Sequence, residues 1–142
     1  VIRRSSGKTL LIRQGCVLFG CSIREYVDVF NSDVCDEEIW RVLDFVGLLE
    51  VFRSREISLN TVFTNRNMLS GGENQRVLML QLFLDPNVDL ILLDETFSGI
   101  DRSRIDDFFG WLKEFKKDAG IIVCSHDAYV VNLCDRHIRL NN

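Results

Sequence analysis

Asp89-Leu90-Ile91-Leu92-Leu93-Asp94-Glu95 is the stretch that decides the fold. Its four aliphatic residues form an unbroken run between acids, without the alternation of a half-solvated strand. The run predicts a parallel strand covered on both faces, with Asp94 and Glu95 set down where it ends. Working outward, Pro86 stops a helix carrying Val77, Leu78, Leu80, Leu82, Phe83 and Leu84, and Ser70-x-x-Glu73 stands before that helix as a capping box. On the other side Asp101 is expected to cap an amphipathic helix with Ile105, Phe108, Phe109, Leu112 and Phe115 on one face. Ile121 to Cys124 reads as a second buried strand ending in Ser125 and His126. A short helix to about Leu133 and a last strand at His137 to Leu140 close the chain.

The N-terminal half follows the same logic. Arg3, Arg4, Lys8, Arg13 and Arg24 make the first residues a basic edge without acids, and Lys8 to Arg13 encloses an apolar run that predicts a buried strand ending at Gln14. Ser22 to Phe30 is expected to form a short helix. Ile39, Val42, Leu43 and Val46 recur at i, i+3, i+4 and i+7 behind Asp36, Glu37 and Glu38, acids suited to a helix's first turn, and Gly47 ends or bends that helix. Asn60 to Asn67 is polar and reads as a loop. Strands alternating with helices imply an α/β layer with a parallel sheet, interrupted from Ser22 to Leu84 by an all-helical insertion.

Composition narrows the classes. A chain of 142 residues, 46% hydrophobic and 27% charged, can bury one core and is not a disordered tail. A net charge of −4 argues against an electrostatic binder of nucleic acid or of an anionic membrane surface. No apolar run approaches the roughly 18 residues of a membrane span. There is no secretory leader pattern, and a first residue Val rather than Met suggests a piece of a longer protein. Cys16, Cys21, Cys35, Cys124 and Cys134 lack metal-ligand spacing and are expected to be reduced thiols packed as small hydrophobes in a cytosolic protein.

Three predicted strands thus end in polar groups: Gln14, Asp94 with Glu95, and His126. Ligands of open parallel sheets bind at the carboxyl ends of strands, so these groups are expected to share one edge. Gly71 and Gly72 let backbone N–H groups at a helix start approach a phosphate, which capping alone does not require.

In order, Leu69-Ser70-Gly71-Gly72-Glu73-Asn74-Gln75-Arg76, Leu90 to Glu95, Ser98-Gly99-Ile100-Asp101 and Ser125-His126-Asp127 resemble the signature, Walker B, D-loop and switch-histidine motifs of the ATP-binding cassette (ABC) ATPase family. Gln14 to Glu25 is similar to the Q-loop segment of exporter-type members. The resemblance implies a partial P-loop NTPase (RecA-like) fold. Residues 8–21 would be strand and Q-loop, 22–86 a helical subdomain with the signature, and 87–142 the Walker B, D-loop and histidine core. It implies ATP and Mg²⁺ as ligands: Asp94 and Gln14 at the metal, Glu95 polarising the attacking water, and His126 on the γ-phosphate. It further implies that Ser70, Gly71, Gly72 and Glu73 bind nucleotide in the facing subunit and that Asp101 meets that subunit. The partners would be a second nucleotide-binding domain and a transmembrane domain at the cytoplasmic face of the cell membrane, with no nucleic acid.

Several departures qualify the resemblance. Ile2 to Thr9 ends like a P-loop but lacks its first glycine, and Lys8 lies too near Gln14 to be the family's phosphate-binding lysine. Lys8 to Arg13 is therefore read as strand, with the P-loop expected upstream, and the 142 residues alone are expected to bind ATP poorly. Glu73 stands where glutamine is usual, Thr96-Phe97 replaces a common Pro-Thr, and Val62 to Met68 lacks the exporters' Gly-Glu. Two alternatives stand beside the transporter reading: a soluble ABC ATPase of the DNA-repair or ribosome-associated kind, and a degenerate, non-catalytic cassette.

Overall fold

The computed structural model describes residues 7–13 and 15–139. Gln14, Leu140 and the P-loop-like residues before Gly7 lie outside the described residues. Among those described, a three-stranded parallel sheet runs in the order β1 (Lys8–Arg13), β2 (Val88–Asp94), β3 (Gly120–Cys124). Arg13 pairs with Asp94, which pairs with Cys124, so all three strands end at one edge. Between β1 and β2 lie α1 (Ile23–Asp28), α2 (Asp36–Phe45), α3 (Leu49–Ser54), α4 (Gly71–Leu78) and α5 (Leu80–Leu84). Helix α6 (Arg102–Phe115) joins β2 to β3, and α7 (Ala128–Asn132) follows β3. The α/β class with a helical insertion is as expected, and no helix among the described residues is long and apolar enough to cross a membrane.

The sheet buries one face. Leu10, Ile12, Ile91 and Leu93 are buried against the helices, while on the other face Leu11 is 55% and Ile122 59% exposed. The expectation of buried strands therefore fails for β1 and β3, and β2, expected to be covered on both faces, has Leu90 and Leu92 only half-buried. An apolar run specifies a strand and cannot say how many layers cover it. Residues His137 to Arg139 form no strand, contrary to expectation.

Sequence chemistry explains the helix boundaries. Ser22 caps α1 through a capping box with Glu25, and the helix ends at Asp28, two residues short of the expected Ser22 to Phe30 span. Helix α2 begins at Asp36 with its three acids in the first turn, as expected, and Gly47 follows it at φ 74°, a left-handed turn suited to glycine. The continuous helix expected from Val77 to Leu84 splits at Met79, whose angles of −64° and −19° are those of a tightened 3₁₀ turn. Its apolar side continues across the split, because Val77, Met79, Leu80 and Leu82 are all buried. Helix α3 has no counterpart in the sequence reading. Phe115 is 61% exposed and stacks on Trp111 rather than joining the buried face of α6. The cysteines are free but none is buried: Cys35 and Cys124 are exposed and the other three half-buried.

Aromatic rings join the helical insertion to the sheet layer. Phe83 of α5 meets Phe45 of α2 at 5.2 Å, Phe108 of α6 at 5.5 Å and Trp111 at 4.3 Å between centroids. Phe97 continues the row onto Phe108 and Phe109 at 5.0 and 5.3 Å, which accounts for an aromatic residue at that position. Beside this row, Arg104 of α6 reaches the end of α2 and donates to the carbonyls of Phe45 at 3.0 Å and Asp44 at 3.5 Å. Opposite the strand ends, Lys8 pairs with buried Asp85 at 2.6 Å.

A Cβ on Gly47 would stand 2.8 Å from Arg104 Cζ, whereas one on Gly99, also at φ 74°, would meet nothing within 4 Å. Left-handed strain costs a non-glycine residue on the order of 1–3 kcal/mol. Gly47→Ala is expected to lower the urea midpoint at unchanged slope, and by more than Gly99→Ala, because it also displaces Arg104. Equal midpoint shifts would show that the Arg104 contact contributes nothing.

Candidate nucleotide site

Glu95 stands one residue beyond β2 with a left-handed backbone, φ 49°. Its amide donates to the carbonyl of Cys124 at 2.9 Å, extending the pairing of β2 with β3 by one step. Its carbonyl accepts from Gln75 Nε2 at 3.1 Å, which anchors α4 to the strand end. The carboxylate turns to the chain beyond β3: Oε1 accepts the His126 amide at 3.1 Å, and Oε2 lies 2.8 Å from His126 Nδ1. The His126 side chain is 85% exposed and that of Glu95 is 26% exposed, so the pair faces solvent at the rim of the sheet.

Asp94 ends β2, exposed, with its Cα paired across the sheet to Arg13 and Cys124. The expected meeting of Asp94, Glu95 and His126 at one edge is realised. Arg13 brings β1 to the same edge, and Gln14 is the next residue.

The signature-like segment opens α4. Ser70 Oγ accepts the Glu73 amide at 3.2 Å while the Ser70 amide donates to Glu73 Oε2 at 2.7 Å, completing the predicted box. Gly71 and Gly72 fill the first two helical positions, whose N–H groups have no carbonyl within the helix to meet. Both are exposed, and a Cβ on either would meet nothing within 4 Å. Nothing in the chain itself demands glycine there, so the open space suits an incoming anion. The Glu73 carboxylate is turned inward, accepting from Arg55 Nη1 and Nη2 at 2.9 Å each. What this turn offers outward is its amides.

Asp101 sits at the N-cap of α6, exposed, but its side chain makes no capping hydrogen bond, contrary to expectation. The cap position is met by its backbone alone.

Sequence reasoning missed two neighbours of Glu73. Asn74 Oδ1 accepts the amide of Leu18 at 3.3 Å, and its Nδ2 donates to the carbonyls of Leu69 and Ser70 at 3.0 and 3.1 Å. Gln75 holds Glu95 as described. Both are buried amides in the first turns of a helix, and their polarity at buried positions was the available signal.

The hydrogen bond that His126 Nδ1 donates to Glu95, together with the charge of that carboxylate, raises His126 above the ordinary histidine value of 6.5. A folded-state value above the unfolded one means that the pairing favours the folded state below pH 6.5 and fades as the pH rises through the raised value. Proton NMR titration is expected to place the His126 midpoint above 6.5, and Glu95→Gln is expected to bring it down. Identical midpoints in the two proteins would remove Glu95 as the cause.

Comparison with known proteins agrees with this geometry. No family model matches the chain. It is 30% identical over 125 residues, 87% of its length, to 21% of the microcin-J25 export ATP-binding/permease protein of Escherichia coli. It is 44% identical over 78 residues, 53% of its length, to 32% of a zinc import ATP-binding protein of Aliivibrio fischeri. The chain thus spans a third or less of either relative. Its fold superposes on a bacterial Atm1-family ABC exporter with ATP bound, with a TM-score of 0.69 at 20% identity, over 89% of this chain and 22% of that one. With the four motif segments in the family's order on the family's fold, the chain belongs to the ATP-binding cassette family of nucleotide-binding domains.

Proposed function

We propose that the whole protein binds and hydrolyses ATP as the nucleotide-binding part of an ABC transporter. Two such domains close head to tail and drive an attached transmembrane domain from the cytoplasmic face of the membrane. The observation that carries this reading is the Glu95–His126 pair beside Asp94 at the strand ends. Export is inferred from the Gln14 to Glu25 segment, since both an exporter and an importer are among the relatives. Residues 8–21, 22–86 and 87–142 act as Q-loop strand, signature-bearing subdomain and catalytic core.

The exposed Asp94 carboxylate offers the hard oxygen that Mg²⁺ prefers, and this cation commonly takes one or two carboxylates beside water and substrate phosphates. Asp94, together with Gln14, would hold it, and its charge would offset that of the phosphates. Glu95 has its backbone fixed at both amide and carbonyl, so its carboxylate is aimed. It accepts a proton from the water whose oxygen attacks the γ-phosphorus, and ADP leaves as that new bond forms. His126 Nδ1 holds this carboxylate, and the raised proton affinity of the ring favours a second N–H at Nε2 for the γ-phosphate.

Ser70, Gly71 and Gly72 serve the facing subunit's nucleotide, and Asp101 touches that subunit. Among the described residues no hydrogen bond joins Ser70, Gly71 or Gly72 to Asp94, Glu95 or His126, and the link from α4 to this edge starts one turn later, at Gln75.

In the whole protein Glu95→Gln is expected to slow hydrolysis by roughly 10² to 10⁴ with ATP binding nearly intact, the usual weight of a general base. Subunits with Gly71→Asp mixed with subunits carrying Glu95→Gln are expected to regain activity. Each mixed dimer then holds one doubly damaged site and one intact one. No gain on mixing would mean that each signature acts within its own chain.

A further inference from the structure

Glu73 presents an electrostatic problem. A carboxylate in the first turn of a helix is favoured by the helix dipole, but it shares that turn with the amides that would receive a phosphate, and like charges repel. The chain carries a countermeasure 18 residues upstream. Arg55, at the C-cap of α3, directs both terminal nitrogens onto the two Glu73 oxygens, a fork-to-fork pair with both distances at 2.9 Å. The same Nη1 donates to the Met68 carbonyl at 2.9 Å, two residues before the cap Ser70. Glu56, which follows Arg55, turns the chain left-handed at φ 54°.

The Glu73 side chain is 11% exposed while that of Arg55 is 44% exposed, so the cation lies on the solvent side of the carboxylate. Burial pushes the Glu73 carboxyl up, but the bonds from Arg55 and Ser70 outweigh it, and the group lies below its ordinary value. Glu73 is therefore ionised under ordinary conditions, and its charge must be offset by a neighbour rather than by a proton.

We propose that Arg55 is a positioning residue of the nucleotide site, offsetting the Glu73 charge so that the first turn of α4 can accept a phosphate. The inference rests on reading that turn as a phosphate site, and it assigns a role to a residue outside the motifs. Arg55 acts through Glu73 and need not touch the ligand. A glutamine at position 73 would need no such partner, so the two residues form one unit.

The test is ATP hydrolysis by the whole protein, with KM and kcat read separately for MgATP. Arg55→Gln leaves Glu73 charged and unpaired and is expected to raise KM about tenfold, the scale of a lost bond to a charged group, with a smaller effect on kcat. Adding Glu73→Gln to Arg55→Gln is expected to return KM most of the way. Arg55→Lys, which keeps the charge but gives up the paired geometry, is expected to fall between the unsubstituted KM and that of Arg55→Gln. If Arg55 only ties α3 to the Met68 carbonyl, the double variant recovers nothing, which overturns the proposal. So does an Arg55→Gln protein with unchanged KM, or an Arg55→Lys protein as impaired as Arg55→Gln. Gly71→Asp separates the two levels. Unaltered hydrolysis in that variant overturns the phosphate reading of α4 together with this inference, whereas its loss beside a negative Arg55 result overturns the inference alone.

Discussion

Two regions far apart in sequence meet at one residue in a conformation that side chains seldom adopt. Glu95, at φ 49°, joins β3 through its amide, α4 through its carbonyl and the chain after β3 through its carboxylate. A left-handed turn costs a residue with a Cβ on the order of 1–3 kcal/mol and persists only where surrounding bonds over-determine it. Here they do: every polar group of the residue is engaged. The strain turns the carboxylate out of the strand direction and toward His126, so the backbone conformation and the proposed chemistry have one origin.

The same junction needs the layers on either side to be held in register, and two kinds of contact do this. The row from Phe45 through Phe83 and Phe108 to Phe97 is apolar and fixes the separation of α2, α5 and α6. Arg104 adds direction, since its guanidinium meets the carbonyls at the end of α2, where a helix carries partial negative charge. Thr96 completes the set from the sheet side: its buried hydroxyl donates to the Ile12 carbonyl at 3.3 Å, linking the turn after β2 to β1. The Thr-Phe pair after Glu95 thus supplies a polar tie and an apolar anchor.

Much of this was legible in the sequence, for identifiable reasons. Uninterrupted aliphatic runs marked β2, and the acids that closed it marked the edge where Asp94 and Glu95 lie. The Ser70–Glu73 and Asp36 signals are local chemistry, written within four residues, and both helices start where those signals put them. Exposure of β1 and β3 was not legible, because hydrophobicity reports what a strand tolerates rather than what lies above it. Nor were the bonds of Arg55 to Glu73, Gln75 to Glu95 and Asn74 to Leu18, which span 18, 20 and 56 residues. The Arg55 and Asn74 bonds depend on the path of the chain through α3 and its turns, and the Gln75 bond on the path through α5 and β2; α3 itself carries too short an apolar pattern to be recognised. Phe115 went astray for a related reason: its spacing fits the buried stripe of α6, but the packing ends with Leu112.

The one-sided sheet has a bearing on how the chain behaves in solution. Among the described residues β1 and β3 are outer strands, each with a row of backbone groups turned away from β2 and each carrying a bare aliphatic side chain, Leu11 or Ile122. Such margins are templates for strand addition by another chain, a hazard that proteins commonly suppress with charge or short strands. Lys8 and Arg13 give β1 a cation at each end, whereas β3, Gly-Ile-Ile-Val-Cys, carries no charge over its five residues. Self-association of the isolated chain would start at β3, and a charged residue at Ile122 is the substitution that would guard against it.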